Sequence, residues 1–404
     1  MKSLKFLARS TAFAAFIGAY AQSASAAPGT LSDLPSFLAF EVQPNIMIMA
    51  DDSGSMDWEI LIRTGVSSGT TSGYIDFSPN NNTERRELCA GYNAMMYDET
   101  RKYTPWVAQN RQGTDYANSS VSAALENPYY GTSRESNCNS GNGDSGDNDG
   151  RCDLIDDFNS GDGAYYFAWN DADNDGEFDR GECEYDRPSG GSFTENFGTT
   201  YRTYIDDLPA NPTGGFDSCV APNCNSQQNF ANWYTYYRKR EYVAKRALSE
   251  VISESEERMG LATINRNNGI SDDSTVTLPE GGTYNEHQEV GTELVDVDDI
   301  SVPLVAGNQN NKFKLLRNLS RINSGSSTPL RIGLNNVGKY FDSATSTGSS
   351  LFGFSAADES PILSIADGGE CQQNFTILMS DGFWNGNSPG VGNQDGSDVI
   401  AGNP

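Results

Sequence analysis

Apolar positions along this chain fall into three textures. Pro44-Asn45-Ile46-Met47-Ile48-Met49-Ala50 is a short continuous apolar run that breaks into Asp51-Asp52-Ser53-Gly54-Ser55-Met56, the pattern of a strand buried on both faces that empties into a loop. Asn374-Phe375-Thr376-Ile377-Leu378-Met379 repeats the arrangement and runs into Ser380-Asp381-Gly382, and Gly260-Leu261-Ala262-Thr263-Ile264 reads as another strand. Phe230, Trp233, Tyr237, Ala244, Leu248, Val251 and Ile252 recur at three-, four- and seven-residue spacings, which predicts one amphipathic helix of about six turns. Phe313, Leu316, Leu319 and Ile322 mark a second helix, and Leu330, Leu334, Val337 and Phe341 a third. Thr328 is its expected N-cap and Pro329 its first helical residue. Alternation through Ser274-Thr275-Val276-Thr277-Leu278 fits a second insertion or an edge hairpin. Strand, helix, strand, helix, helix, strand is the order of an α/β domain with a doubly wound, mostly parallel sheet.

From about Trp58 to Gln228 the text changes to Gly, Asn, Asp, Ser and Tyr with scattered cysteines and no long apolar period. This stretch is predicted to be a large irregular insertion. Its aromatic run Tyr165-Tyr166-Phe167-Ala168-Trp169, like Trp233 to Tyr237 on the helical stripe, is expected to pack inside rather than bind sugar or a partner.

The N-terminus adds a compartment. Lys2, Lys5 and Arg9 precede the apolar stretch Thr11 to Ala21, and Ala24-Ser25-Ala26 follows. That is a secretory signal over residues 1–26, too short to cross a hydrocarbon core of ~30 Å. No later run is long enough to span a membrane, so the mature chain is expected in the periplasm, at the cell surface or outside it. In an exported chain the seven cysteines are expected to form disulfides, with one left over, rather than thiolate metal sites. Cys219 and Cys224 are close enough in sequence to close a small loop, but the connectivity stays open.

Charge and composition then remove whole classes of function. In 404 residues, 27 Lys+Arg face 55 Asp+Glu, a formal charge of −28, which opposes docking on nucleic acid or an anionic membrane. His287 is the only histidine and no Gly-x-Ser-x-Gly is present, so neither a His-based triad nor a multi-histidine zinc site is expected. The chain does not read as an enzyme.

Oxygen-rich loops carry the chemistry. In open parallel sheets sites form at the carboxyl ends of strands, and two predicted strands end in Asp51-Asp52-Ser53-Gly54-Ser55 and Ser380-Asp381-Gly382, with Thr328 opening a helix. Asp51, Ser53 and Ser55 alternate, so all three can point one way while Asp52 and Gly54 serve the turn. Two carboxylates and three hydroxyls make a partial shell for a hard divalent cation, Mg²⁺ or Mn²⁺, that could accept a partner's carboxylate. Each piece alone is ordinary turn or cap chemistry; their joint placement carries the signal. The set resembles the metal-ion-dependent adhesion site (MIDAS) of von Willebrand factor A domains, D-x-S-x-S, then Thr, then T/S-D-G. This implies metal ligands Asp51, Ser53, Ser55, Thr328 and Asp381 on a Rossmann-type fold.

The resemblance narrows with Pro44 to Met56, Tyr97 through Tyr103-Thr104-Pro105-Trp106, Phe230 to Arg238, Ser327 to Arg331 and Ile377 to Gly386. These patches are similar to the N-terminal region of PilY-type proteins, the type IV pilus tip-associated biogenesis factors and adhesins. It implies an adhesion or assembly role, with pilus subunits or a host-surface protein as the carboxylate-bearing partner. Members of that family continue into a C-terminal β-propeller, and the last helix and strand of an A domain would follow Asp381, so residues 27–404 are expected to be a truncated A-like domain.

Inside the insertion, Asp171-Ala172-Asp173-Asn174-Asp175-Gly176-Glu177-Phe178-Asp179-Arg180-Gly181-Glu182 fits the calcium-loop spacing D-x-[DN]-x-[DN]-G-x₅-E. Asp171, Asp173, Asp175, the Glu177 carbonyl, Asp179 and Glu182 would surround Ca²⁺, with Gly176 for the sharp turn. Flanking helices are not evident, and the bland reading is a solvated acidic loop. The competing function for the whole chain is a structural calcium-binding surface protein whose A-type site is idle.

Overall fold

The structure is a computed structural model that describes residues 42–63, 73–130, 150–183, 201–265, 275–277, 283–285, 295–301, 310–341 and 361–390, apart from 78, 80–81, 112–113, 157, 159–162, 172, 180–181 and 383. The predicted export signal and His287 lie outside the described residues. Four strands, β1 (Asn45–Ala50), β2 (Arg258–Thr263), β3 (Val295–Asp299) and β4 (Asn374–Met379), form one sheet in the order β4-β1-β2-β3. β1 runs parallel to β4 and to β2, whereas β3 is antiparallel to β2. Two of the three pairings are parallel, as the sequence predicts, and the antiparallel β3 makes the whole a mixed sheet in a mixed α/β fold. Its antiparallel member, Val295-Asp296-Val297-Asp298-Asp299, alternates apolar and acidic residues, as a strand at a sheet margin does when one face meets water. The hairpin is present: Thr275–Thr277 pairs antiparallel with Thr283–Asn285.

Four helices follow the apolar periods: α1 (Gln227–Tyr236), α2 (Arg240–Glu254), α3 (Asn311–Arg321) and α4 (Leu330–Phe341). Because side chains alternate across a strand, Ile48 and Ala50 of β1 join Leu248 and Ile252 of α2 and Leu315, Leu316 and Leu319 of α3 in one cluster. Met47 and Met49 join Ala262, Ile264 and the α4 residues Leu330, Val337 and Tyr340 in another. Helices thus cover both faces of β1 and β2, which is why β1 reads as a continuous apolar run, whereas the outer strand β4 leaves Phe375, Ile377 and Leu378 exposed. Gly333 sets the approach of α4: a Cβ there would lie 3.1 Å from Met49 Sδ and 3.3 Å from Ile264 Cα.

Two helix boundaries depart from the sequence reading. The single six-turn helix is two, α1 and α2, because Tyr237 (φ −137°, ψ −14°) and Lys239 (φ −102°, ψ 149°) leave helical geometry. Tertiary contacts hold the break: Arg238 Nε pairs with Glu59 Oε1 at 2.8 Å, and Lys239 Nζ with Asp57 Oδ1 at 2.8 Å. At α4 the Pro329 carbonyl accepts the first helical bond, from Gly333 N at 3.0 Å, so Pro329 is the boundary residue and Thr328 stands one place outside it.

The region from Trp58 to Gln228 is not short of a core. Tyr97, Phe158, Tyr165, Tyr166 and Phe167 are fully buried with Phe230 and Trp233 of α1 in one cluster. Edge-to-face ring contacts such as Tyr97 to Tyr166 (5.0 Å) and Tyr97 to Phe230 (5.1 Å) knit it together. Disulfides Cys89–Cys183 and Cys219–Cys224 cross-link this half, and Cys371 is free and exposed. Leu363–Gln372, with the two 3₁₀ turns Ile365–Asp367 and Gly369–Cys371, groups separately from residues 43–362 and 373–404.

Glu87 is a stress point in the aromatic half. Its carboxyl is buried, its Oε1 finds no hydrogen-bond partner among the described residues, and burial, helped by Glu84 and Asp76, pushes its pKa up to about 7. A carboxyl raised in the folded state holds a proton that the unfolded chain has released, so stability declines as pH rises from the ordinary carboxylate range through that value. Glu87→Gln should therefore stabilise the protein by on the order of 2 kcal/mol at about pH 8 and leave it unchanged near pH 4. Thermal melts of both proteins across that range check this; an equal difference at all pH values would contradict it.

Candidate metal centre

The parallel register places the two oxygen-rich loops side by side. Ala50 is level with Met379 on one flank and Thr263 on the other, and Asp51 N donates to Met379 O at 2.9 Å. Past that point Asp51 Oδ1 accepts from Ser53 N (2.8 Å) and Oδ2 from Ser380 Oγ (2.6 Å). Ser53 Oγ lies 3.2 Å from Ser55 Oγ, which donates to Asp381 Oδ1 at 3.0 Å. Asp51, Ser53, Ser55 and Asp381 thus form one hydrogen-bonded chain at the carboxyl edge of the sheet. Thr328 is carried on a loop stitched to both neighbours: Gly54 N donates to Ser326 O (3.0 Å), and Thr328 N donates to Asn385 Oδ1 (2.9 Å) while Thr328 O accepts from Asn385 N (2.9 Å).

Several supporting residues were not legible beforehand. Asp52, expected only to serve the turn, is buried, and its Oδ1 accepts from Asn265 N (2.9 Å) and Asn265 Nδ2 (3.0 Å), which ties the loop after β1 to the end of β2. Asn265 Nδ2 also donates to Ser327 O at 2.7 Å, beside Thr328. The first turn of α2 orders the rest. Glu241 Oε2 accepts from Ser324 N at 2.8 Å, and Lys245 Nζ, 3.3 Å from Glu241 Oε1, donates to Ile322 O. Burial pushes the Lys245 ammonium below its ordinary pKa, and Glu241 opposes that shift. Arg240 pairs with Asp381 Oδ2.

These residues fit a hard divalent cation. Every donor is oxygen, and neutral hydroxyls outnumber carboxylates. The Asp51 carboxylate is 2% exposed and has no cationic partner among the described residues, a condition that is costly unless a positive charge compensates it.

The acidic loop is the second candidate. One ligand oxygen each of Asp171, Asp173 and Asp175 lies within 4.8 Å of the others. Asp171 accepts from Asp175 N (3.2 Å) and Gly176 N (3.0 Å), and Asp175 Oδ1 from Glu177 N (2.7 Å). Asn174 (φ 60°) and Gly176 (φ 75°) make the left-handed turns that draw the three together. The Asp173 carboxyl is pushed above its ordinary pKa by desolvation and by the charges of Asp175, Asp179 and Glu182. Glu182 is buried, and its Oε2 accepts from Trp169 Nε1 (3.1 Å) and Asp179 N (2.9 Å). Among the described residues no helix flanks the loop: a bridge between Trp169 and Cys183 closes it, next to the Cys89–Cys183 disulfide.

Curated relatives point the same way as the chain's motifs. The chain is 22% identical over 378 residues to the type IV pilus biogenesis factor PilY1 of Pseudomonas aeruginosa strain UCBPP-PA14, covering 90% of this chain and 25% of that protein. To PilY1 of strain PAK it is 25% identical over 388 residues, covering 93% of this chain and 27% of the relative. The chain therefore spans about a quarter of the length of the curated relatives it matches. No protein-family profile and no solved structure matches it. This weak similarity supports a PilY-like type IV pilus factor. Among the described residues no helix is long and apolar enough to cross a membrane, and the disulfides are consistent with export.

The Asp52 contact can be tested without any ion. Asp52→Ala leaves the buried Asn265 N–H without its acceptor and should cost about 1–3 kcal/mol of stability. Denaturant unfolding in chelator measures it, and an unchanged midpoint would contradict the role given to Asp52.

Proposed function

We propose that the chain is the exported, cation-dependent binding part of a type IV pilus factor, with a von Willebrand factor A-like metal centre at the carboxyl edge of its sheet. The observation that carries this reading is the hydrogen-bonded convergence of Asp51, Ser53, Ser55 and Asp381, with Thr328 on the adjoining loop. Those five residues would hold Mg²⁺ or Mn²⁺. Such an ion, with few negative ligands, supplies a Lewis-acidic position able to take a carboxylate from a pilus subunit or a host-surface protein. The chain's own part is to fix the ligands: β1 and β4 set the spacing of the two aspartates, Ser380 and Ser53 N–H orient Asp51, and Asp52 and Asn265 hold the loop. The role proposed is binding, and we assign no enzymatic activity.

A second reading, a structural calcium-binding surface protein with an idle A-type site, has one observation in its favour: Arg240 already supplies a positive charge to Asp381. Metal titration separates the two. Mn²⁺ should bind the full chain, as measured by calorimetry, and Asp51→Ala should abolish that binding; equal affinity in both proteins would remove the assignment.

Calcium is proposed for the loop of Asp171, Asp173, Asp175, Glu177, Asp179 and Glu182. Its carboxylates repel one another without a cation, so Ca²⁺ should protect the segment from proteolysis. Ca²⁺ should also raise stability by about 2.7 kcal/mol at a hundredfold excess over its dissociation constant. Replacing Asp171 and Glu182 together by Ala should erase that protection while Mn²⁺ binding through Asp51 persists. Undiminished calcium protection in the double variant would reduce the loop to a solvated acidic turn.

A further inference from the structure

Arg240 stands where the metal centre, the aromatic half and the break between α1 and α2 meet. As the first residue of α2 it has its backbone N–H donating to Trp58 O at 3.1 Å. Its guanidinium donates through Nε to Ile60 O at 3.1 Å and through Nη2 to the same carbonyl, lies 5.3 Å from the centre of the Trp58 ring, and pairs through Nη1 with Asp381 Oδ2. Both partners of that ion pair are largely shielded from water, with side chains 14% and 9% exposed. The other oxygen of the same carboxylate, Oδ1, accepts from Ser55 Oγ and faces the hydroxyl cluster. One carboxylate is therefore shared between a fixed cation and the place assigned above to a mobile one.

We propose that Arg240 is the resident cation of this centre, a positioning residue that holds Asp381 when no divalent ion is bound and opposes the ion's entry. The inference rests on the metal assignment of the preceding section. Two positive charges a few ångströms apart in a poorly hydrated site repel. A divalent ion on Asp381 therefore weakens the hold of Arg240 on that carboxylate, and with it the guanidinium's contacts to Trp58 and Ile60. Neighbouring pairs fasten the same segment: Lys239 to Asp57, Arg238 to Glu59, and Tyr74 OH, which donates to Asp57 Oδ2 at 2.8 Å. Occupancy of the centre is thereby linked to the strip Asp57–Ile60, which leads into the aromatic half.

The direction of the effect separates this role from a structural one. If Arg240 merely oriented Asp381, removing it would loosen a ligand and weaken binding, as loss of groups that touch metal ligands ordinarily does. As a resident cation, its removal tightens binding. Calorimetric titration of the full chain with Mn²⁺ should give an affinity about tenfold or more higher for Arg240→Gln than for wild type, within the range such groups control. Arg240→Lys, which keeps the charge, should stay near wild type. Mn²⁺ should also change Trp58 fluorescence, read as the difference between wild type and Trp58→Phe, and that change should vanish in Arg240→Gln. An affinity in Arg240→Gln equal to or lower than wild type overturns the proposal while leaving the metal centre standing, as does a Lys variant as tight as Gln. No Mn²⁺ binding in either wild type or Arg240→Gln overturns the centre and the proposal together. Binding to Arg240→Gln that disappears when Asp51→Ala is added places the gain at this centre.

Discussion

Everything at the candidate centre depends on the parallel, in-register pairing of β1 with β4. Two chain segments 329 residues apart end level with each other, so Asp51 and Asp381 emerge on the same edge without any loop having to search for the other. Parallel strands need helices on their faces, and those helices supply the remaining parts. The first turn of α2 brings Arg240 to Asp381 and Glu241 to the loop ahead of Thr328. α4 seats Thr328 at the same edge because Gly333 lets it lie against Met49. The site is thus a consequence of sheet register and helix packing, not of local loop sequence alone.

The balance of charge explains why the centre can be cohesive in a chain that is strongly acidic. Basic residues are scarce, yet three occur in a row at Arg238-Lys239-Arg240, and all three engage carboxylates: Glu59, Asp57 and Asp381. That cluster is what breaks the long helix. A continuous helix would turn these three side chains to different sides of its axis, whereas the break lets them converge on the segment following the Asp51 loop. Among the described residues Asp51 has no such partner and is held only by Ser53 N and Ser380 Oγ, and its buried carboxylate is the observation that most favours the proposed ion.

Strand and helix existence was legible from hydrophobic pattern, because β1 and β2 are buried continuous runs and α3 and α4 bury apolar residues against them; β4 carries the same kind of run but lies largely exposed at Phe375, Ile377 and Leu378, where the sequence predicts burial. So were the loops that meet at the centre, since strand ends fix where they go. The rest was hidden for identifiable reasons. Apolar spacing runs unbroken through Tyr237 to Lys239, since both helices keep burying aromatic residues on either side of the break, and only long-range ion pairs reveal it. β3 carries three aspartates in five residues and reads as loop until β2 supplies its partner. The aromatic core between Trp58 and Gln228 has no period because its members come from turns and two-residue strands such as Tyr165–Tyr166. Asp52 and Arg240 could not be assigned from sequence at all, as their partners, Asn265 and Asp381, are set by tertiary structure.

The central claim is that the edge shared by β1 and β4 is a divalent cation site, and a direct view of the ion tests it best. Crystals of the full chain grown with Mn²⁺ and measured at the manganese absorption edge should show an anomalous peak at about 2.0–2.4 Å from Ser53 Oγ and Ser55 Oγ, beside Asp51, Thr328 and Asp381. A peak confined to the loop of Asp171 to Glu182, or no peak at the sheet edge, would contradict the account.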